Sequence, residues 1–308
     1  MYTSIIIPTY NRSDVIIRSL ETWTKQTIPT SEFEVIVVDN NSSDNSAELI
    51  KEYIKPFSNF HYLFEEKPGA TNARHAGVEI AKGDILIFCD DDGLFNINFI
   101  QSVLNVYRDR PEVSAVASKI EILWDDVAPT WIKPYLFMLG ELDYGSEVCY
   151  KYDLYINGGA FSIRKKVFYE LCGFNPDLVG MYLVGDGDTG LVKKLHKTHK
   201  LIGWTPFAVM RHMQFVNKQG TIDDLGRRFL NTGISNAYGL FYENNFKFNL
   251  RVLMFIINSI VFFAKKKLEL LLITSDKTQR YFSMMQRKGE IKFFINLRLK
   301  QIRNVIYQ

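Results

Sequence analysis

The chain is poor in cysteine. Cys89, Cys149 and Cys172 are its three, an odd number without the spacing of a metal site or a disulfide framework, so a reducing cytoplasm is the expected setting. Met1-Tyr2-Thr3-Ser4 runs straight into a strand-like segment with no basic region and no cleavage site, so no secretion signal is expected. No apolar run makes a comfortable bilayer span of about 20 residues. The run over 252–264 has 13 residues and is broken by Asn258 and Ser259. Internal repeats and low-complexity tracts are absent, which excludes a solenoid or a disordered chain.

What is present is the composition of a globular protein. Of 308 residues, 47% are hydrophobic and 23% charged, enough to bury a sizeable core in one large α/β domain with an appendage or in two modest domains. Aromatics at 14% suit a binding cleft or a lipid contact as well as a packed core. The net charge of +3 is unevenly spread. From Asn245 onward thirteen Lys/Arg face three acids, a surplus of +10, so residues 1–244 carry −7. A mildly acidic body with a basic, apolar tail implies two jobs. The domain boundary is therefore placed near 245, with 1–244 as the main body and 245–308 as a helical tail.

The first hundred residues alternate β-branched runs with helical patterns. Strands are expected at 4–8, 33–38, 61–64 and 85–89, and helices at 14–25, 45–55 and 70–81. Continuous apolar strands separated by helices indicate a mostly parallel sheet covered on both faces. Such sheets bind ligands beyond the carboxyl ends of their strands. Here polar residues crowd at those ends: Thr9, Tyr10, Asn11 and Arg12, then Asp39, then Asp90, Asp91 and Asp92. Beyond Asn96 the pattern predicts a helix at 97–108, strands at 114–123 and 155–163 around an aromatic-rich loop, and helices at 186–196 and 222–242.

The acidic triplet carries the chemistry. A phosphate-bearing donor needs a polyanion anchored and a leaving diphosphate stabilised, and Mg²⁺ or Mn²⁺ held by one or two carboxylates does both. Alternate residues of an extended segment point the same way, so Asp90 and Asp92 can face one ligand. Alone, such a triplet also fits phosphatases and nucleotidyltransferases.

Four segments in order narrow the choice. They are Ser4-Ile5-Ile6-Ile7-Pro8-Thr9-Tyr10-Asn11-Arg12, Val37-Val38-Asp39-Asn40-Asn41-Ser42-Ser43-Asp44, Pro68-Gly69-Ala70-Thr71-Asn72-Ala73-Arg74-His75-Ala76-Gly77, and Gly83-Asp84-Ile85-Leu86-Ile87-Phe88-Cys89-Asp90-Asp91-Asp92. Together they closely resemble the family 2 glycosyltransferases of the GT-A fold, over residues 4–92 and more loosely to about 240. The resemblance implies a nucleotide-sugar-binding half at 1–95 and an acceptor half at 96–244. It places Pro8, Thr9, Tyr10, Arg12 and Asp39 at the nucleotide, with Asp39 accepting from a ring N–H of uracil. Arg74 would reach the base or diphosphate. Asp90 would hold the ribose, Asp92 the metal, and Asp91 either.

In the second half, Gly158 and Gly159 look like the family's small-residue strand below the sugar, where a plain β-bulge is the alternative. Gly185-Asp186-Gly187-Asp188-Thr189-Gly190-Leu191 stands where the family usually has Glu-Asp-x-x-Leu. That implies Asp188 as general base, with Asp186 as alternative, since Gly187 replaces the usual Glu. His212 is a candidate second metal ligand. Trp131, Trp204 and Tyr182 are candidates for sugar stacking, with core packing as the alternative.

The implied activity is an inverting transfer from a UDP-sugar to a hydroxyl of a glycan or lipid-linked glycan, as in bacterial surface polysaccharide synthesis. A nucleotidyltransferase would normally carry a Gly-rich phosphate loop after strand one, and residues 9–14 contain no glycine. A non-catalytic nucleotide-sugar-binding scaffold is the third reading, against which the retained acids argue. The tail repeats an apolar-plus-basic theme at 252–267, 268–273 and 293–299. It is expected to lie on the anionic inner face of the cell membrane, or else to pack on the body or on a second subunit. No nucleic-acid partner is expected.

Overall fold

The computed structural model describes residues 1–176, 178–179, 183–272 and 276–298. Packing divides the chain into two compact units. One holds Met1–Asp125, Pro134–Asn175 and Asp188–Gln214; the other holds Asp126–Lys133, Pro176–Gly187 and Phe215–Gln308. The composition changes near 245, but packing groups everything from Phe215 onward.

The first unit is α/β. Its elements run β1 (Thr3–Thr9), α1 (Ile16–Trp23), β2 (Phe33–Asp39), α2 (Ser46–Ile54), β3 (Phe60–Phe64), α3 (Ala70–Ile80), β4 (Ile85–Cys89), β5 (Gly93–Phe95), α4 (Phe99–Asp109), β6 (Ala115–Trp124), β7 (Cys149–Lys151), β8 (Ala160–Arg164) and α5 (Lys165–Glu170). The second unit's ribbon of β9 (Leu178–Val179) and β10 (Leu183–Val184) intervenes. The first unit then resumes through α6 (Gly187–Lys197) and β11 (Ile202–Gln214). One nine-stranded sheet runs in the order β3-β2-β1-β4-β8-β6-β11-β5, with β7 pairing on β11. The half from β3 to β4 is parallel. Beyond it β8 is antiparallel to both neighbours, and β11 is parallel to β6 but antiparallel to β5 and β7.

Strand alternation sorts the core into two layers. Ile5, Val35 and Ile87 face Leu20, Trp23 and Val103 on one side. Ile6, Ile36 and Phe88 face Ala73, Phe168 and Leu191 on the other. Strands buried on both faces explain the unbroken apolar runs, and each fully buried large side chain contributes about 1.5–3 kcal/mol.

Two local expectations fail for identifiable reasons. The strand expected over 155–163 begins only at Ala160, because residues 157–160 turn, with Ala160 N–H donating to the Asn157 carbonyl at 3.2 Å. The aromatic-rich loop contains a 3₁₀ stretch, Thr130–Leu139, with Pro134 inside it.

The second unit is mainly helical: α7 (Ile222–Glu243), α8 (Leu250–Leu272) and α9 (Lys277–Arg298). Its core joins Ile234, Tyr238 and Phe241 of α7 to Val252 of α8 and to Phe293 and Leu297 of α9. Among the described residues no helix is long and apolar enough to cross a membrane.

Candidate active site

The parallel half of the sheet sets the site. The chain leaves β4 at Asp90, whose N–H donates to the Gly159 carbonyl at 3.0 Å, while the Asp92 carbonyl accepts from Met213 N–H at 2.9 Å. The triplet is thus held between the start of β8 and the end of β11. Oxygens of Asp90 and Asp92 and a ring nitrogen of His212 all lie within 4.8 Å of one another. His212 reaches this place because β11 pairs with β5, setting His212 opposite Gly93.

His212 is oriented from behind. Its Nδ1 lies 2.9 Å from the Leu139 carbonyl, which can only accept, so Nδ1 carries a proton and Nε2 faces Asp92. Gly140, at φ +101, makes the turn that follows Leu139, a conformation suited to glycine. His212 Nε2 and Asp92 Oδ1 are 2.9 Å apart, yet Oδ1 is buried without an aligned hydrogen-bond partner. Two carboxylates and an imidazole turned on one point fit a divalent cation.

Arg12 lies against the same acids, with Nε 3.4 Å from Asp91 Oδ1 and Nη2 3.3 Å from Asp92 Oδ2. Burial alone would raise the Asp92 carboxyl, but His212 and Arg12 outweigh it and hold it below the ordinary range. Burial pushes Asp91 the other way, with Asp92 adding and Arg12 opposing. Two adjacent buried acids cannot both ionise freely without a further cation.

Arg74 is 6% exposed. Its Nη2 donates to Asp90 Oδ1 at 2.8 Å and to the Gly158 carbonyl at 3.0 Å. One peptide further, Gly158 N–H donates to Asp188 Oδ2 at 2.9 Å, and Thr189 N–H to Asp188 Oδ1 at 2.8 Å. Arg74 and Gly158 thereby link Asp90 to Asp188. Burial raises the Asp188 carboxyl above its ordinary value, against the pull of Arg74. The glycine pair is where carboxylates crowd the backbone: a Cβ on Gly158 would overlap Asp188 Oδ2, and one on Gly159 would stand 3.1 Å from Asp90 Oδ2.

At the other end Asp39 closes β2, opposite Thr9 in register. Its Oδ1 accepts from Ser42 N–H at 3.0 Å and its Oδ2 from the Tyr62 hydroxyl at 2.8 Å. Burial and Asp39 both push the Tyr62 hydroxyl up, so it stays a donor. Pro8 is buried within β1, and Tyr10 just beyond it is 58% exposed.

The first unit therefore brings together Arg12, Arg74, Asp90, Asp91, Asp92, Gly158, Gly159, Asp188 and His212. Asp186 and Trp131 belong to the second unit, where the Trp131 ring packs against Phe282 at 6.3 Å between centroids. Trp204 is fully buried, and Tyr182 lies outside the described residues. Tyr62 and the Leu139 carbonyl were missed. Tyr62 is signalled only by its place on the strand beside β2, and a backbone carbonyl leaves no trace in residue type.

Comparison with known proteins places this arrangement. The fold is the GT-A fold. A crystal structure of S. aureus TarS 1-349 superposes with TM-score 0.56 at 16% identity over 96% of this chain and 92% of that one. One of GalNAc-T7 with UDP, GalNAc and Mn²⁺ gives TM-score 0.56 at 18% identity over 76% and 48%. The Glycosyl transferase family 2 model matches residues 4–172, more than half the chain, and the protein belongs to that family. Glycosyltransferase AglE of Haloferax volcanii is 40% identical over 92 residues, 30% of each chain. The poly(ribitol-phosphate) beta-glucosyltransferase of Bacillus spizizenii is 35% identical over 96 residues, 30% of this chain and 15% of that protein. These matches thus span less than a third of either relative's length.

Proposed function

We propose that this protein transfers a sugar from a nucleotide-diphosphate sugar, with a UDP-sugar favoured, to an acceptor hydroxyl by a single inverting displacement. The observation that carries the reading is the convergence of Asp90, Asp92 and His212 on one point, with Asp188 joined to the same acids through Arg74 and Gly158. The chain's membership in Glycosyl transferase family 2 and the UDP and Mn²⁺ bound in the GalNAc-T7 crystal structure support it.

In this reading Pro8, Thr9, Tyr10 and Asp39 receive the nucleobase, with Asp39 fixed by Tyr62 and Ser42 to accept a ring N–H. Asp90, steadied by Arg74, takes the ribose. Asp92 and His212 would hold Mn²⁺ or Mg²⁺, which when bound neutralises charge on the departing diphosphate. Arg12 supplies a second cationic edge to the same oxygens. Asp188 takes the proton of the acceptor hydroxyl, its burial raising its basicity. It is preferred to Asp186 because its carboxylate is fixed in the unit that holds the other acids. Gly158 and Gly159 are the acceptor-side candidates. A glycan or lipid-linked glycan is the acceptor class, in surface polysaccharide or glycoconjugate synthesis, and residues 245–308 bring the protein to the cytoplasmic face of a membrane.

The test is metal-dependent donor hydrolysis and transfer by wild type and Asp92→Asn, preceded by a thermal-shift panel of nucleotide sugars with Mn²⁺, since a bound ligand raises stability. Asp92→Asn should lower metal-dependent turnover about 10²-fold or more. Unchanged turnover in the variant, or no stabilisation by any nucleotide sugar, would refute the assignment.

A further inference from the structure

A helix on the surface of a globular protein normally turns its apolar stripe inward. Helix α8 is apolar on both sides. Inward, Val252 is buried with Phe255 and Ile256 beside it, and the seam with α9 also holds a polar cluster: Ser259 Oγ, on a residue 1% exposed, donates to Glu290 Oε2 at 2.5 Å, and Arg287 Nη1 donates to both Glu290 oxygens at 2.9 and 2.8 Å. Further along, Lys266 and Arg280 both approach Glu269, at 2.7 and 3.6 Å. The outer face carries Leu250, Met254, Ile257, Val261, Leu268 and Leu272, each between 50% and 72% exposed. Spacings of three, four and seven place all six on one side of a helix about 34 Å long. Scattered exposed apolar residues are ordinary, but a continuous stripe of this length marks an interaction surface.

The flanking charge identifies the occupant. At about 100° per residue, the exposed Lys265 lies about 50° to one side of the stripe's centre and the exposed Lys267 about 110° to the other. Basic residues on both margins of an apolar face let the face enter the acyl boundary while the ammonium groups reach anionic headgroups. The helix also cannot span a bilayer: its apolar stretch between Arg251 and Lys265 covers about 20 Å of a hydrocarbon core about 30 Å thick.

We propose that the outer face of α8 is the surface by which this protein lies on an anionic lipid bilayer, with the helix axis in the interfacial plane. The proposal rests on the membrane reading of residues 245–308 and narrows it to one face of one helix.

The experiment is flotation of the full chain with vesicles of phosphatidylcholine alone and of phosphatidylcholine with 30% phosphatidylglycerol, alongside light scattering of the protein in solution. Wild type should float with the anionic vesicles only. Ile257→Asp and Leu268→Asp, both at exposed positions and checked for unchanged circular dichroism, should weaken binding at least tenfold. Lys265→Gln with Lys267→Gln should weaken it about fivefold per charge. If wild type fails to float, the membrane reading of the tail falls and this proposal with it. If wild type floats and the two Asp variants float equally well, the tail reading stands and the assignment to this face is overturned. A wild-type dimer that Ile257→Asp dissociates, with no vesicle binding, would instead assign the face to a second copy and overturn the proposal.

Discussion

Replacing Gly158 by alanine isolates the placement of Asp188. The backbone at 158 is not among the positive-φ glycines, so alanine meets no conformational penalty and the conflict is one of space. The added methyl would overlap Asp188 Oδ2 and stand 3.1 Å from Cγ, and the Asp188 Cα and helix α6 are fixed by packing of Leu191 and Leu195. The carboxylate must therefore retreat by about 1 Å and give up the Gly158 N–H, and a displacement of that size costs about 10²-fold in rate. Crowding of a packed site adds about 1–3 kcal/mol of lost stability. Steady-state transfer should show kcat about 10²-fold lower, with the donor KM within threefold of wild type. Gly159→Ala crowds Asp90 instead and should act mainly on donor KM. In an Asp188→Asn background, Gly158→Ala should lower the residual rate by less than about threefold, because groups that act as a unit are not additive. A folded Gly158→Ala enzyme with wild-type kcat, or one whose full penalty persists in the Asp188→Asn background, would refute the reasoning.

Two further outcomes follow from the same geometry. Tyr62→Phe removes the hydroxyl that Asp39 Oδ2 accepts from at 2.8 Å. Loss of one such bond, about 1–1.5 kcal/mol, should raise the donor KM about five- to tenfold at unchanged kcat; a change confined to kcat would remove Asp39 from the nucleobase. Asp188 is raised above its ordinary 3.8 by burial, so the ionised base is lost as pH falls through the raised value. The acid limb of the kcat/KM profile should lie above 3.8 and vanish from the residual activity of Asp188→Asn. The stability sign is the opposite of the usual aspartate case. The folded form holds the proton more tightly than the unfolded one, so ionising Asp188 costs stability as pH rises through the same window. An acid limb at or below 3.8 would show that burial does not govern this carboxylate.

Much of the first unit was readable because one residue's neighbours there are set by strand periodicity. The runs around Ile5, Val35 and Ile87 could only be strands covered on both faces, and polar residues after each had to gather at one sheet edge. Asp90 and Asp92 do come together, but through a turn at 91–92 just past β4 and not through alternation along an extended segment. The turn at 157–160 was not readable: a glycine pair in an apolar run is equally consistent with a strand or a turn until the acids that crowd it are known. Nor was the packing of α7 with α8 and α9, since composition changes at 245 while contacts change at 215.

Residue order alone determined the layers of the sheet, the acids at its edge and the amphiphilic character of the tail, because each depends on side chains close together along the chain. Tertiary structure decided the rest, because it depends on pairs far apart. The antiparallel pairing of β11 with β5 brings His212 to Asp92. The turn below β8 gives Asp188 its N–H donor. On α8, where apolar residues occupy both sides, the polar seam formed by Ser259 and Glu290 decides which apolar face is left outward.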